Sequence, residues 1–88
     1  MRTFNLTNGA WTDARYTTAI RTVRVKAYSA AYFALLERFD DLRAPFALMG
    51  KDAAPGVVVV GRAIALAVAA DGAESLGAQD MAAIEAGW

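Results

Sequence analysis

The sequence predicts an α+β fold, in which an N-terminal β-hairpin is followed by three α-helices in one small domain. Apolar residues alternate with period two over residues 2–6 and 22–26 and then recur at helical spacing from residue 30. The length of 88 residues suits a single domain, with a hairpin region over 1–27 and a helical region over 28–88. Two Trp, three Tyr and four Phe supply bulky side chains for a core, so we expect an ordered chain.

The hairpin prediction starts from a turn signal near the N-terminus. Phe4 and Leu6 fall on one face of a short first strand. Asn8 and Gly9 follow it, and both residues tolerate the positive φ that a type I′ hairpin turn requires. Residues 11–18 fit either a second strand or an irregular connection.

Residues 22–26 have the pattern of a half-buried strand. Val23 and Val25 point to one side of the chain, and the polar residues that alternate with them point to the other. One long helix over residues 12–42 is the rival interpretation, and the many β-branched and aromatic residues before residue 26 disfavour it. We therefore expect residues 4–6 and 22–26 to belong to the hairpin.

The first helix is predicted over residues 30–43, with Ser29 as its N-cap. Its apolar residues form one wide stripe at helical spacing, and Leu35 and Phe39 are expected in the core. Pro45 ends the helix, because the residue before a proline disfavours the α conformation. The stripe consists of Tyr32, Leu35, Leu36, Phe39 and Leu42, with Tyr28 leading into it.

Residues 57–70 carry signals for both a helix and a strand. The four consecutive valines favour a strand, whereas the alanine-rich half that follows favours a helix. The 14 residues exceed the usual length of a buried strand, and Pro55 before them and Gly72 after them fit the entry and exit of a helix. We therefore predict the second helix here and a short third helix over residues 79–86.

The second predicted helix is apolar nearly all round. Val59 and Leu66 lie beside Arg62, on the side opposite the main apolar stripe. Such a helix is either sandwiched within the domain or offers its second face to a partner, and both interpretations stay open. Phe33, on the polar side of the first helix, is either an anchor for a partner or a lone aromatic that contacts the hairpin, and Trp88 is either a core residue or a second anchor. The candidate partner-binding residues are Phe33, Val59, Arg62, Leu66 and Trp88.

The composition argues against catalysis. The chain has no His and no Cys, so it lacks the commonest general base, the usual zinc ligands and a thiol nucleophile. Asp40 and Asp41 are adjacent carboxylates, but neighbouring side chains on a helix point about 100° apart, and the sequence offers no third ligand. We expect no catalytic site, no metal site and no cofactor.

The charge balance bears on partners and on location. Nine basic and nine acidic residues cancel, which disfavours nucleic acid as a partner. Residues 1–44 carry seven basic and four acidic groups, whereas residues 45–88 carry two and five. The two halves either attract each other within one fold or attract a neighbouring copy head to tail, or the faces differ by chance. The N-terminus lacks the apolar core of a signal peptide, and residues 57–70 are too few to cross a membrane. We expect a soluble protein of the cytoplasm.

The order of the segments is a further observation. Arg24-Val25-Lys26 leads into a helix that begins after Ser29, the alanine-rich residues 64–70 end at Asp71-Gly72, and residues 76–84 open the last helix with an acidic first turn. Over residues 20–86 the chain resembles the small tail assembly chaperones of long-tailed bacteriophages. The resemblance implies a protein without catalysis that binds an aggregation-prone, helical tape-measure protein in the cytoplasm of the infected host cell.

Two other functions fit the same observations. A small phage or prophage inhibitor of a host defence protein complex would share the size and the lack of catalytic residues. A small structural subunit of a virion would use the charge split for head-to-tail stacking. All three functions need a protein partner or a second copy of the chain.

Overall fold

The computed structural model describes residues 2–50 and 55–88, which form a five-stranded sheet with helices packed against it. The strands are β1 (Phe4–Thr7), β2 (Ala10–Asp13), β3 (Arg21–Lys26), β4 (Gly56–Val60) and β5 (Ile64–Ala69). The helices are α1 (Ala30–Arg38), α2 (Arg43–Phe46) and α3 (Ala78–Gly87), with a 3₁₀ turn (Asp40–Leu42) between the first two.

The sheet is mixed, with the strand order β1-β2-β4-β5-β3. β1 pairs with β2 and β4 pairs with β5 in antiparallel fashion, whereas β2 with β4 and β3 with β5 are parallel pairs. The predicted architecture of a hairpin followed by three helices is therefore wrong, because two central strands follow α1 and α2. The overall α+β content remains, but the division into a hairpin region and a helical region does not.

The N-terminal turn is confirmed, and the second strand of its hairpin is β2. Asn8 and Gly9 have φ of 50° and 79°, and Leu6 lies opposite Trp11. The predicted strand over residues 22–26 exists as β3, but it lies at the other edge of the sheet and pairs with β5 from Arg21 to Lys26. The expectation that residues 4–6 and 22–26 form one hairpin is wrong.

The predicted helix over residues 57–70 is instead the hairpin β4–β5. Gly61 donates its backbone N–H to the carbonyl of Ile64 at 2.8 Å, which closes a short turn inside the segment. After this turn, large and small residues alternate with period two along β5, so the alanines occupy one face of a strand. The length argument failed because a turn divides the segment.

The first helix begins where it is predicted and ends earlier. The Ser29 hydroxyl accepts a hydrogen bond from the Tyr32 N–H at 3.3 Å, so the N-cap is confirmed. Phe39 breaks the helix with extended dihedrals, φ −127° and ψ 101°. Pro45 lies in the first turn of α2, where a backbone N–H has no acceptor within the helix. The N–H that proline lacks therefore costs no helical hydrogen bond. The predicted core position of Leu35 is confirmed, whereas Phe39 is half-buried.

The last helix is confirmed, and the β4–β5 turn holds its C-terminal end. The N–H of Ala63 donates to the carbonyl of Gly87 at 2.7 Å, and the N–H of Arg62 donates to that of Trp88 at 3.3 Å. These bonds satisfy carbonyls that a helix end leaves unpaired. None of the described helices is long and apolar enough to cross a membrane.

All three helices pack on one face of the sheet. The core contains the large side chains of β4 and β5 together with Leu35 of α1, Phe46 of α2 and Ile84 of α3. The Tyr32 ring stacks on the Phe46 ring, with centroids 5.1 Å apart. From the described strands, the members of the core are Val25, Val57, Val59, Ile64, Leu66 and Val68, with Phe4, Trp11 and Val23 packed against them.

Candidate functional site

The face of the sheet opposite the helices is uncovered in the described structure. The strand registers place one row of side chains across this face, from one edge of the sheet to the other. The row is Asn5, Thr12, Val58, Ala67 and Arg24. None of these residues belongs to the core or packs against it. We call this surface the open face.

The two central strands carry no polar side chain on either of their faces. β4 is Gly-Val-Val-Val-Val and β5 is Ile-Ala-Leu-Ala-Val-Ala. Such apolar runs are typical of strands that are covered on both faces, whereas a strand with one solvated face normally alternates with polar residues. Helices cover only one face here, so Val58 and Ala67 remain partly accessible to solvent.

The open face is concave. A depression of about 380 Å³ has Ala10, Val58 and Ala67 on its floor, with Tyr16 and Arg24 among the residues that line it. A second depression of about 250 Å³ continues it along the same strands past Gly56 and Ala69. Several residues that line the groove are small, namely Ala10, Gly56, Ala67 and Ala69. A Cβ on Gly56 would come within 2.7 Å of the Val68 carbonyl oxygen, so this position requires glycine. The result is a shallow groove with an apolar floor and polar surroundings, which include Thr7, Asn8, Thr12, Tyr16, Thr22 and Arg24.

The charge at the rim of the groove is positive. Arg24 lines both depressions, and none of the described residues that line them is acidic. Among the described residues, Arg24 makes no ion pair, whereas Lys26 on the same strand lies 3.9 Å from a carboxylate oxygen of Glu74. Both cations are exposed.

A buried carboxylate lies at the end of β2, opposite Phe4 of β1. Asp13 is 1% exposed, and Val60 and Ala65 at the same end of the sheet are also buried. The Asp13 carboxylate accepts hydrogen bonds from the backbone N–H groups of Arg15 and Val60, each at 3.0 Å. The β2–β4 ladder ends at Thr12 and Val58, and beyond it the Asp13 carboxylate accepts the hydrogen bond from the backbone N–H of Val60 in β4.

Two guanidinium groups accompany this carboxylate. Arg2 Nε lies 3.6 Å and Arg15 Nη2 lies 3.5 Å from Asp13 Oδ2. Burial on its own raises the pKa of Asp13, but the hydrogen bonds from Arg15 and Val60 and the positive charge of Arg15 outweigh it. The pKa of Asp13 therefore lies below its ordinary value of 3.8, and the carboxylate stays ionised.

Arg2 also contacts Trp88. The guanidinium of Arg2 lies over the Trp88 ring at 5.4 Å and binds Asp41 Oδ2 at 3.1 Å. The indole N–H of Trp88 donates to the same carboxylate oxygen at 3.0 Å. Trp88 therefore joins the 3₁₀ turn and β4–β5 turn to the N-terminal segment, and its role in the described structure is packing.

Two of the predicted partner-binding residues lie in the core. Val59 and Leu66 are opposite each other in the β4–β5 pair, and both are 0% exposed. The predicted exposed face of a helix is therefore wrong, because β-strand alternation places these two side chains toward the helices with Val57 and Val68.

Of the other three predicted residues, Arg62 and Trp88 are neighbours, and Phe33 lies on a different element. Phe33 is 52% exposed on α1, where its ring contacts the Tyr32 ring edge-on at 4.9 Å. Arg62 lies in the β4–β5 turn, and its guanidinium donates to the Ala86 carbonyl. Trp88 belongs to the network with Arg2. The structure thus brings the five together in two pairs, Val59 with Leu66 in the core and Arg62 with Trp88 at the β4–β5 turn, and does not form one surface from all of them.

The open face was missed because β5 was predicted as a helix. Its signal is present in the sequence: the alanines of Ile-Ala-Leu-Ala-Val-Ala alternate with larger residues, which is typical of a strand with a small-residue face.

In the described residues, no group of three or more His, Cys, Asp or Glu is placed to hold a metal ion. Comparisons with protein-family models, curated proteins and solved structures found no significant match to this chain.

Proposed function

We propose that this chain is a non-enzymatic protein-binding module whose open face binds a partner protein. The observation that carries the proposal is the apolar character of β4 and β5 on both faces, of which the described helices cover one. Covering the partly exposed Val58 and Ala67 would gain hydrophobic free energy of about 25 cal/mol per Å² of apolar surface removed from water.

An α-helix is the partner element that fits this surface best. Domains with a sheet are completed by a layer of helices or by a second sheet on the exposed face. The groove floor of Ala10, Val58 and Ala67 has small side chains, and it runs along the strands past Gly56 and Ala69. A helix can lie in such a groove with its apolar side chains filling the depression.

The role that we propose for the module is that of a chaperone for an apolar helical protein, such as the tape-measure protein of a long-tailed phage. Support for this role comes from the shape and polarity of the open face. The resemblance to tail assembly chaperones depends on the alanine-rich segment, which is the strand β5 and not a helix. The proposed role therefore rests on the open face and not on that resemblance.

Co-expression with a tape-measure protein tests the proposal. The open face should keep that helical protein in the soluble fraction, and Ala67→Gln should abolish the effect by placing a larger polar side chain in the groove. Ala82→Gln is the matched control, because Ala82 is exposed on α3 at the opposite side of the sheet. Equal solubility with both variants would show that the open face does not bind.

A further inference from the structure

We infer that the helix bound by the open face carries a carboxylate that pairs with Arg24, which makes Arg24 the residue that selects the partner. This inference rests on the proposed function and adds the chemistry of the ligand. It follows from the charge distribution around the groove rather than from the apolar floor.

The position of Arg24 carries the inference. Arg24 lies opposite Ala67 in the β3–β5 pair, so its side chain leaves the sheet directly beside the centre of the groove. Three other cations near this sheet form ion pairs. Arg2 and Arg15 pair with Asp13, and Lys26 pairs with Glu74. Among the residues that the structure describes, Arg24 has no such partner and no carboxylate lines the groove.

Pairing across a partly buried interface strengthens a charge interaction. A helix that fills the groove removes water from the Ala67 side of Arg24, which lowers the local dielectric around the guanidinium. An acidic side chain along that flank of the helix then compensates the desolvated cation, whereas a basic side chain is repelled. Nucleic acid is the poorer ligand, because Arg24 is the single cation among the described residues that line the two depressions, and one cation neutralises few phosphates.

Three synthetic peptides test the inference. Each has about 18 residues, enough to hold a helix, with alanine and leucine on one face. The flanking positions are glutamate in the first peptide, glutamine in the second and lysine in the third. We expect the glutamate peptide to bind about fivefold more tightly than the glutamine peptide and the lysine peptide to bind most weakly. Amide NMR shifts of Val58 and Ala67 report binding at the open face.

A charge reversal provides the decisive comparison. Arg24→Glu should invert the order, so that the lysine peptide binds more tightly than the glutamate peptide. Arg21→Glu is the matched control, because Arg21 is exposed on the same strand but alternates to the opposite face, and it should leave the order unchanged.

The remaining outcomes separate the inference from the proposed function. Equal binding of all three peptides with shifts at Val58 and Ala67 would overturn the selection by Arg24 and leave the open face as a binding surface. Failure of every peptide to shift these amides would overturn the inference, while the co-expression experiment would still decide the function. Binding of an oligonucleotide that Arg24→Glu abolishes, or self-association through the same amides, would replace the acidic helix as the ligand.

Discussion

Val58 and Ala67 lie directly opposite each other in the β4–β5 hairpin, on the face of the sheet that no described helix covers. The neighbouring pair, Val59 and Leu66, points the other way and is fully buried. The two pairs are adjacent in sequence and have similar polarity, but the first can meet a partner and the second holds the fold together.

We expect substitutions in these two pairs to lower the free energy of unfolding by different amounts. Leu66→Ala should lower the free energy of unfolding by about 2–5 kcal/mol, because it leaves a cavity among the core side chains. Ala67→Gln should change it by less than about 1 kcal/mol, because the longer side chain can extend into solvent. Urea denaturation of the two variants measures both effects.

A stronger substitution checks the same assignment. Leu66→Asp should unfold the domain, because it places an unpaired carboxylate in the core. A Leu66→Asp variant that kept its cooperative unfolding transition would place Leu66 outside the core and would contradict the assignment of the two faces.

Local signals predicted the elements that depend on neighbouring residues. The turn at Asn8 and Gly9 and the cap at Ser29 require particular backbone or side-chain chemistry at those positions, and the structure has both. The pairing of β3 with β5 was not predicted, because it joins segments far apart in the chain and depends on which faces are buried together.

Alanine explains why the candidate site was missed. It is the best helix former, and counting it as an apolar residue hides the alternation between Ile64, Leu66 and Val68 and the alanines between them. Counting only large apolar residues gives period two, which predicts β5. The location of the open face then still depends on where the helices pack, which the sequence pattern does not specify.

The buried carboxylate predicts how stability depends on pH. The pKa of Asp13 lies below 3.8 in the folded protein, so at low pH the unfolded chain binds a proton at this residue first. The stability contributed by Asp13 is therefore complete above its ordinary pKa and is lost as the pH falls through the lower folded value. Thermal denaturation as a function of pH should show this loss.

Asp13→Asn isolates that contribution. The variant should be less stable by about 2–4 kcal/mol at neutral pH, because the amide cannot neutralise the two arginines and leaves buried donors poorly paired. It should also lose part of the acid dependence. Asp40→Asn is the control, since that side chain is 91% exposed. A similar acid dependence in wild type and Asp13→Asn would contradict the lowered pKa.

Tyr28 is held in a left-handed backbone conformation, with φ of 60°, although its side chain is 66% exposed. This conformation is strained for any residue with a Cβ. Tyr28→Gly and Tyr28→Ala both remove the ring contact with Tyr32, but only glycine relieves the strain. The glycine variant should be more stable than the alanine variant by about 0.5–1 kcal/mol in urea denaturation.

A helical position gives the opposite sign and serves as the comparison. Ala34→Gly, within α1, should be destabilising by about 0.5–1 kcal/mol, because glycine loses more backbone entropy in a helix. If alanine were the better residue at position 28 as well, the left-handed conformation there would be wrong.

Gly61 and Trp88 should be energetically coupled, because the tryptophan ring packs against the glycine backbone. A Cβ added at Gly61 would lie 2.6 Å from Trp88 Cε3 and 3.1 Å from the Gly87 carbonyl oxygen. Gly61→Ala should therefore cost about 1–3 kcal/mol by displacing the ring. In a double-mutant cycle, Trp88→Ala should make that cost smaller by about 1 kcal/mol or more, because the ring is then absent. Gly77→Ala, where no atom lies within 4 Å of the added Cβ, should add independently to Trp88→Ala. Strictly additive costs for Gly61→Ala and Trp88→Ala would show that the ring does not cover the β4–β5 turn.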